Sequence, residues 1–294
     1  MSLRVVEISG VASVQDLGRL GHAHEGVPTS GAADPLSLRV ANRVVGNADG
    51  AAGVELAMGR MRVEAMRSIA VVCSSGGRAF EAIELEAGAS IEFGPDDGLC
   101  RAYLAVAGGL DVPMVLDSRS TLASAGFGGL QGRSLGAGDE LPIGGAMRGP
   151  SALPSHVRAM LELASRSRVL RVVADGAEAE PPAGLLRVSP KGDRVGIRLD
   201  RAGEGNAVET GPSRGVMHGT IQAPSSGELV ILGPDGPTTG GYATVGTVIA
   251  ADLPAVGQLV PGQWVRFEVV GREDARELLV QQRLTLDAAI APVQ

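Results

Sequence analysis

The chain has 294 residues, a formal net charge of −7 and a single lysine, Lys191, among its 26 basic residues. Acidic and basic side chains are interspersed, so no Lys/Arg stripe could neutralise phosphates and a nucleic-acid partner is not expected. Hydrophobic residues make up 44% of the chain and aromatic residues 2%, which predicts a core of Val, Leu, Ile and Ala.

Cys73 and Cys100 are too few for a disulfide framework or a thiolate metal site, and we expect both to be buried as small hydrophobes. The N-terminal stretch MSLRVVEISG lacks a basic region followed by an apolar core. No apolar run approaches the roughly 18 residues needed to span a bilayer. These features predict a cytoplasmic protein without membrane association.

Short apolar runs rich in β-branched residues recur between Gly, Pro and Asp, which is typical of hairpins rather than of alternating strands and helices. They predict a mainly β chain with strands at 3–8, 61–65, 69–73, 90–93, 101–106, 170–173, 229–232, 244–250 and 264–270.

Three stretches, 35–45, 155–165 and 272–283, have a helical period instead. Asp34 and a Ser at position 155 are expected to cap the first two helices. The Gly- and Pro-rich run before the second helix indicates a boundary near residue 150, giving subdomains 1–150 and 151–294.

A first polar string, residues 14–47, begins with Gln15, Asp16 and Arg19 in a predicted tight turn. Asp16 can accept backbone N–H bonds there and pair with Arg19 in a two-point contact, so we expect these residues to order the turn.

Later in this string, Ser30 and Asp34 precede the first helix, whose N-terminal amides suit either an anion or a cap formed by these two residues. Asn42 has poor propensity for the middle of a helix, which favours a side-chain role in substrate binding. His22 and His24 are two residues apart, but no third ligand set is evident, so no metal site is expected.

Ser118 and Arg119 follow an apolar strand, where hydroxyls beside a guanidinium suit carboxylate or phosphate recognition. The Gly-rich loop after them lacks the Gly-Lys-Ser/Thr of a phosphate-binding P-loop. No serine lies in a G-x-S-x-G turn, so a serine hydrolase is not expected.

A second polar string, residues 215–252, contains Thr238, Thr239 and Tyr242 in a Gly-rich loop that can form a concave anion nest with directional donors. We assign these residues and Gln222 to substrate binding. Asp193, Arg194 and Asp235 are interpreted as residues that order turns or the site, Asp193 and Arg194 through an ion pair.

Five ordered stretches together resemble one family: the polar strings 14–47 and 215–252, YLAVAGGLDVP from residue 103, SRST from 118 and DRVGIRL from 193. The family is that of the KipA-like proteins, which includes the C-subunit of bacterial ATP-dependent 5-oxoprolinase, also called allophanate hydrolase subunit 2. It is related to half of the carboxyltransferase region of urea carboxylase. The chain departs from relatives at 174–187, which is shorter and free of aromatics, and at Pro237, where most relatives have Gln.

The resemblance implies two cyclophilin-like β-barrel subdomains with a few short helices, and a subunit of an ATP-dependent hydrolase that cleaves 5-oxoproline to glutamate. It also implies two partner proteins, one KipI-like and one LamB-type, with ATP shared with the KipI-like partner. Because the polar strings offer donors without an evident nucleophile, general base or nucleotide cradle, we expect the chain alone to be inactive. One alternative is the carboxyltransferase half of a biotin-dependent urea or amide carboxylase. Another is a regulator that binds a kinase inhibitor.

Overall fold

A computed structural model describes residues 2–76, 81–145, 149–201 and 211–292. The strands of the first half are β1 (Ser2–Ile8), β2 (Val11–Gln15), β3 (Gly53–Ala57), β4 (Met61–Ala65), β5 (Ile69–Ser74), β6 (Ile83–Leu85), β7 (Ser90–Phe93), β8 (Arg101–Val106) and β9 (Glu140–Pro142). They form two sheets, ordered β7-β4-β1-β9 and β2-β3-β8-β5-β6. Apolar side chains from both sheets, such as Val5 and Leu104, share one core.

The strands of the second half are β10 (Val169–Val173), β11 (Leu186–Val188), β12 (Gly196–Arg201), β13 (Arg214–Gly215), β14 (Thr220–Ala223), β15 (Leu229–Leu232), β16 (Thr239–Gly240), β17 (Ala243–Val248) and β18 (Trp264–Val269). Seven of them close a barrel in the order β10-β17-β14-β15-β12-β11-β18. Strands β10 and β18 close it through a parallel pairing. The remaining pair, β13 and β16, forms a separate antiparallel two-stranded ribbon.

The α-helices are α1 (Pro35–Val45), α2 (Ser155–Arg166), α3 (Leu253–Gly257) and α4 (Arg272–Ala289). Asp34 caps α1 as predicted, because its side chain accepts a hydrogen bond from the Ser37 amide. The predicted Ser155 cap is wrong: the cap position is Pro154, which has no side-chain hydrogen-bonding group, and Ser155 is the first helical residue. Helices α1, α2 and α4 contribute to one apolar cluster that includes Val44, Leu161 and Leu286.

The prediction of a mainly β chain with barrel architecture and a few short helices is confirmed. The barrel closes in the second half, while the first half uses two sheets around one core. Cys73 and Cys100 are buried and free, as predicted. Among the described residues, no helix is both long and apolar enough to cross a membrane.

Candidate functional site

Arg194 joins the two halves of the molecule through a set of charged contacts. Its guanidinium pairs with Glu55 of β3 at 2.5 Å and with Asp235 at 2.7 Å. It also donates to the Gly31 carbonyl at 2.7 Å. We call Ser30, Glu55, Arg194 and Asp235 the junction network. It brings together residues of both polar strings.

Electrostatics favours the charged forms in this network. Burial alone would raise the pKa of Glu55, but Arg194 and Arg101, together with hydrogen bonds from Ala33 and Tyr103, hold that pKa below its ordinary value. Burial likewise opposes the charge on Arg194, whereas Glu55 and Asp235 raise its pKa. Arg194 is therefore stabilised by Glu55 and Asp235. Removal of Arg194 would leave Asp235 without its ion partner, while Glu55 would keep Arg101.

Ser30 ties the first polar string to the second. Its hydroxyl donates to the Asp235 carboxylate at 2.7 Å, and its amide donates to the Pro234 carbonyl at 2.8 Å. Its φ of 56° lies in the left-handed region, which costs a residue with a Cβ free energy. These contacts across the junction hold Ser30 in that conformation.

The Asp16 carboxylate is surrounded by donors rather than paired with Arg19. It accepts from the Ser118 hydroxyl at 2.7 Å, from the Arg119 amide at 2.6 Å, and from the Ser120 hydroxyl. The expected two-point Asp16–Arg19 contact is wrong, because the Arg19 guanidinium donates to the Ser120 carbonyl instead. These hydrogen bonds to Asp16 therefore hold the 118–120 segment against the turn after β2.

Arg19 and Gln15 carry buried polar atoms without partners. Arg19 lies with its guanidinium 5.0 Å from the centre of the Phe127 ring. Burial lowers its pKa, and Asp16 and Asp235 oppose that effect. Within the described ranges, Arg19 Nη1 and Gln15 Oε1 have no hydrogen-bond partner. Both side chains are packed rather than open to solvent.

The start of helix α1 binds carboxylates of this chain rather than an external anion. The Ala33 amide donates to Glu55 at 2.8 Å, and the Ser37 amide donates to Asp34 at 3.0 Å. Asp34 also accepts from Gln258 of the second half at 2.9 Å. Burial raises the pKa of Asp34, and the hydrogen bond from Ser37 acts in the opposite direction.

Asn42 and Arg119, both expected to bind substrate, contact the protein itself. The Asn42 amide donates to the Ala51 carbonyl at 2.7 Å and accepts from Asn47 at 3.1 Å. The Arg119 guanidinium donates to the Val112 carbonyl at 2.9 Å and pairs with Asp111 at 2.7 Å. A substrate would have to displace or share these contacts, and the substrate-binding role of both residues stays a prediction.

Gln222, Thr238, Thr239 and Tyr242 are grouped at the two-stranded ribbon. Thr239 belongs to the ribbon, while Gln222 lies in β14 and is 3% exposed. Its side-chain amide lies against Gly240, where any Cβ would collide with it. Tyr242, at the end of the ribbon, is 45% exposed. Within the described part of the chain, the hydrogen-bond donors at the ribbon therefore have fewer partners than the donors of the junction network.

Asp193 and His218 flank the junction network. Asp193 accepts from the Val195 amide at 2.8 Å and orders the turn before β12, without the predicted ion pair to Arg194. His218, which the sequence did not single out, lines a small cavity with Arg101 and Asp193. Burial, followed by the positive charges of Arg194 and Arg101, lowers its pKa to about 4. It is therefore neutral at pH 7.

Comparison with known proteins identifies the family. The model of the carboxyltransferase domain, subdomain A and B, matches residues 25–269. The chain belongs to this family. This confirms the resemblance inferred from the five stretches.

Named relatives fall into two groups. The chain is 31% identical to the 5-oxoprolinase C-subunit of Escherichia coli K12, covering 93% of this chain and 93% of that protein. It is also 31% identical to the urea amidolyase of Lachancea kluyveri, covering 100% of this chain but only 18% of that protein. The crystal structure of the Kluyveromyces lactis urea carboxylase matches with a TM-score of 0.86 at 27% identity, covering 100% of this chain and 30% of that one. Relatives in both groups are enzymes or parts of enzymes, which places this family member in an enzyme complex.

Proposed function

We propose that this chain acts as the C-subunit of an ATP-dependent 5-oxoprolinase, which activates and cleaves the lactam of 5-oxoproline to give glutamate. The observation that carries the proposal is the two-sided alignment with the Escherichia coli C-subunit, 93% of each protein. The urea amidolyase of Lachancea kluyveri extends far beyond the matched region, which is 18% of its length. The names of the 5-oxoprolinase relatives, which call them subunits, support a complex with other proteins.

The chemistry of this role needs donors that hold carbonyl and carboxylate oxygens while the lactam is activated. Thr238, Thr239, Tyr242 and Gln222 offer such donors at the ribbon. At the junction, in contrast, Arg194 is paired with Glu55 and Asp235. We therefore place substrate binding at the ribbon and give the junction network a positioning role.

ATP in this proposal is shared with a KipI-like partner, and a LamB-type partner completes hydrolysis. Asp16 engages the hydroxyls of Ser118 and Ser120 and the Arg119 amide, so these donors of the SRST motif are not free for a phosphate. ATP when bound supplies the phosphoryl group that activates the carbonyl oxygen. The groups of this chain then orient the lactam and its carboxylate.

The second candidate is the carboxyltransferase half of a biotin-dependent urea or amide carboxylase. It is favoured by the family description and by the fold match to the urea carboxylase of Kluyveromyces lactis. In that case, other chains would supply the biotinyl and biotin carboxylase modules.

An ATP-hydrolysis assay distinguishes the two candidates. The chain is combined with its KipI-like and LamB-type partners, and phosphate release is measured with 5-oxoproline, with urea, and without substrate. The proposal predicts stimulation by 5-oxoproline that disappears when any one protein is omitted. In a second mixture, the chain is combined with a biotin carboxylase and a biotinylated protein, and phosphate release that is stimulated by urea there, but not by 5-oxoproline in the first mixture, would support the second candidate instead.

A further inference from the structure

Two unpartnered polar side chains face each other beneath the ribbon. Gln222 of β14 and Thr244 of β17 are directly paired across the strands, which places their Cβ atoms roughly 4.5–5.5 Å apart on one face. Their neighbours Ile221 and Val245 point into the barrel core, so this face lies outside the barrel. Among the described residues, Gln222 Nε2 and Thr244 Oγ1 have no hydrogen-bond partner.

A buried donor without a hydrogen-bond partner destabilises the folded chain, so two such donors at one place require a physical explanation. Gln222 is 97% buried, since only 3% of it is exposed. Its side-chain amide lies against Gly240 of the ribbon. The pair therefore presents an amide N–H and a hydroxyl to the same space.

A carboxylate of the chain already lies at the edge of this donor cluster. Glu178 forms an ion pair with Arg214 of the ribbon and accepts a hydrogen bond from the Thr244 amide at 2.9 Å. The side chains of Arg214 and Glu178 are 40% and 32% exposed, so solutes can reach them. Glu178 belongs to the segment 174–187, where the chain departs from its relatives.

We propose that Arg214, Thr244 and Gln222 form a binding site for the carboxylate of a small molecule, and that Glu178 is an internal competitor for it. The guanidinium supplies the charge, and the Thr244 amide supplies a directed donor, as Glu178 demonstrates with its own carboxylate. Gln222 Nε2 and Thr244 Oγ1 are the donors that Glu178 leaves unfilled.

This site deepens the proposed function and rests on it only for the identity of the ligand, since 5-oxoproline carries one carboxylate beside its lactam. One guanidinium with neutral donors matches the single negative charge of a carboxylate. A carboxylate ligand must displace Glu178 from Arg214 and the Thr244 amide. The measured affinity is therefore the intrinsic affinity multiplied by the fraction of molecules in which Glu178 does not occupy these donors.

Isothermal titration of the purified chain with 5-oxoproline tests the site directly. If Glu178 occupies the donors about nine-tenths of the time, Glu178→Ala should bind 5-oxoproline about tenfold more tightly than the parent chain. Glu180→Ala, an exposed carboxylate of the same segment, is the matched control and should leave binding unchanged. The double variant Glu178→Ala/Arg214→Met should lose the gain, and 2-pyrrolidinone, which lacks the carboxylate, should not bind.

The outcomes separate this inference from the proposed function. Equal affinity in the parent and Glu178→Ala, or no measurable binding in either, overturns the inference whatever the complex catalyses. Tight binding of 5-oxoproline by Glu178→Ala that survives Arg214→Met also overturns it. Equal binding of propionate and 5-oxoproline by Glu178→Ala upholds the carboxylate site but counts against 5-oxoproline as its dedicated ligand. Circular dichroism melting of each variant verifies that the fold is intact.

Discussion

At the scale of single residues, Arg194 carries the electrostatic balance of the junction. Arg194→Met should lower the free energy of unfolding by about 3–5 kcal/mol, because Asp235 would lose its ion partner in a buried place and Glu55 would keep only Arg101. Arg198→Met is the matched control, since the Arg198–Glu228 pair leaves Arg198 40% exposed and its loss should cost less than about 1 kcal/mol. Urea unfolding measures both, and equal losses would contradict a special role for Arg194.

His218 should make the folded chain sensitive to mild acid. Its pKa is lowered to about 4 by burial and by Arg194 and Arg101, with Glu55 opposing. As pH falls below about 6.5, the unfolded chain takes up a proton that the folded chain refuses until about pH 4, so stability is lost across this interval.

His218→Gln should remove this loss. Between pH 7.5 and 4.5, its unfolding free energy should fall by roughly 1–3 kcal/mol less than that of the parent, since one pKa step is worth about 1.4 kcal/mol. His156→Gln, at an exposed position, should follow the parent. Denaturant unfolding at both pH values measures these free energies. If stability depends on pH in the same way in the parent and in His218→Gln, the imidazole of His218 is not held neutral in the folded chain.

At the level of elements, helix α3 closely approaches the backbone at the start of α1. A Cβ at Gly257 would lie 2.3 Å from the Ala33 carbonyl oxygen and 2.9 Å from the Asp34 amide. Gly257→Ala should therefore push α3 away from the start of α1 and destabilise the chain by about 1–3 kcal/mol. Gly215→Ala, whose Cβ would meet no atom within 4 Å, is the control. If both variants melt with the parent, the tight contact does not exist in solution.

Elements whose signals are local were predictable from the sequence. Asp34 and Pro35 define the start of α1, and glycine, proline and aspartate bound the strands, so these elements fall close to their expected limits. The prediction of a Ser155 cap was wrong because Ser155 is already helical, so that Pro154 occupies the cap position one residue earlier. The backbone conformation, which the sequence pattern does not specify to one residue, determines where the helix begins.

The contacts of the candidate site were not predictable in the same way. Ser30 and Asp235 are 205 residues apart, and Asp16 and Ser118 are 102 apart, so only the packing of the chain brings each pair together. The sequence marked all four residues as polar and ordered. It could not reveal that Asp16 would bind hydroxyls rather than Arg19, because that choice depends on the position of the 118–120 segment.

In the molecule as a whole, the two halves differ in how their charged and polar groups are used. The junction network fixes the halves to each other with its charges paired internally, whereas the ribbon presents exposed donors on the outside of the barrel. In the proposed function, this chain binds and orients the substrate, and partner proteins supply the remaining groups. We therefore expect the chain alone to show no turnover.

The most direct test of the central claim is the amount of glutamate formed from isotopically labelled 5-oxoproline and ATP by the reconstituted complex. We expect glutamate in the complete mixture of this chain with KipI-like and LamB-type proteins, and none when this chain is left out. Adding the chain back should restore the product. Glutamate formation at the same rate without this chain would contradict its role in a 5-oxoprolinase.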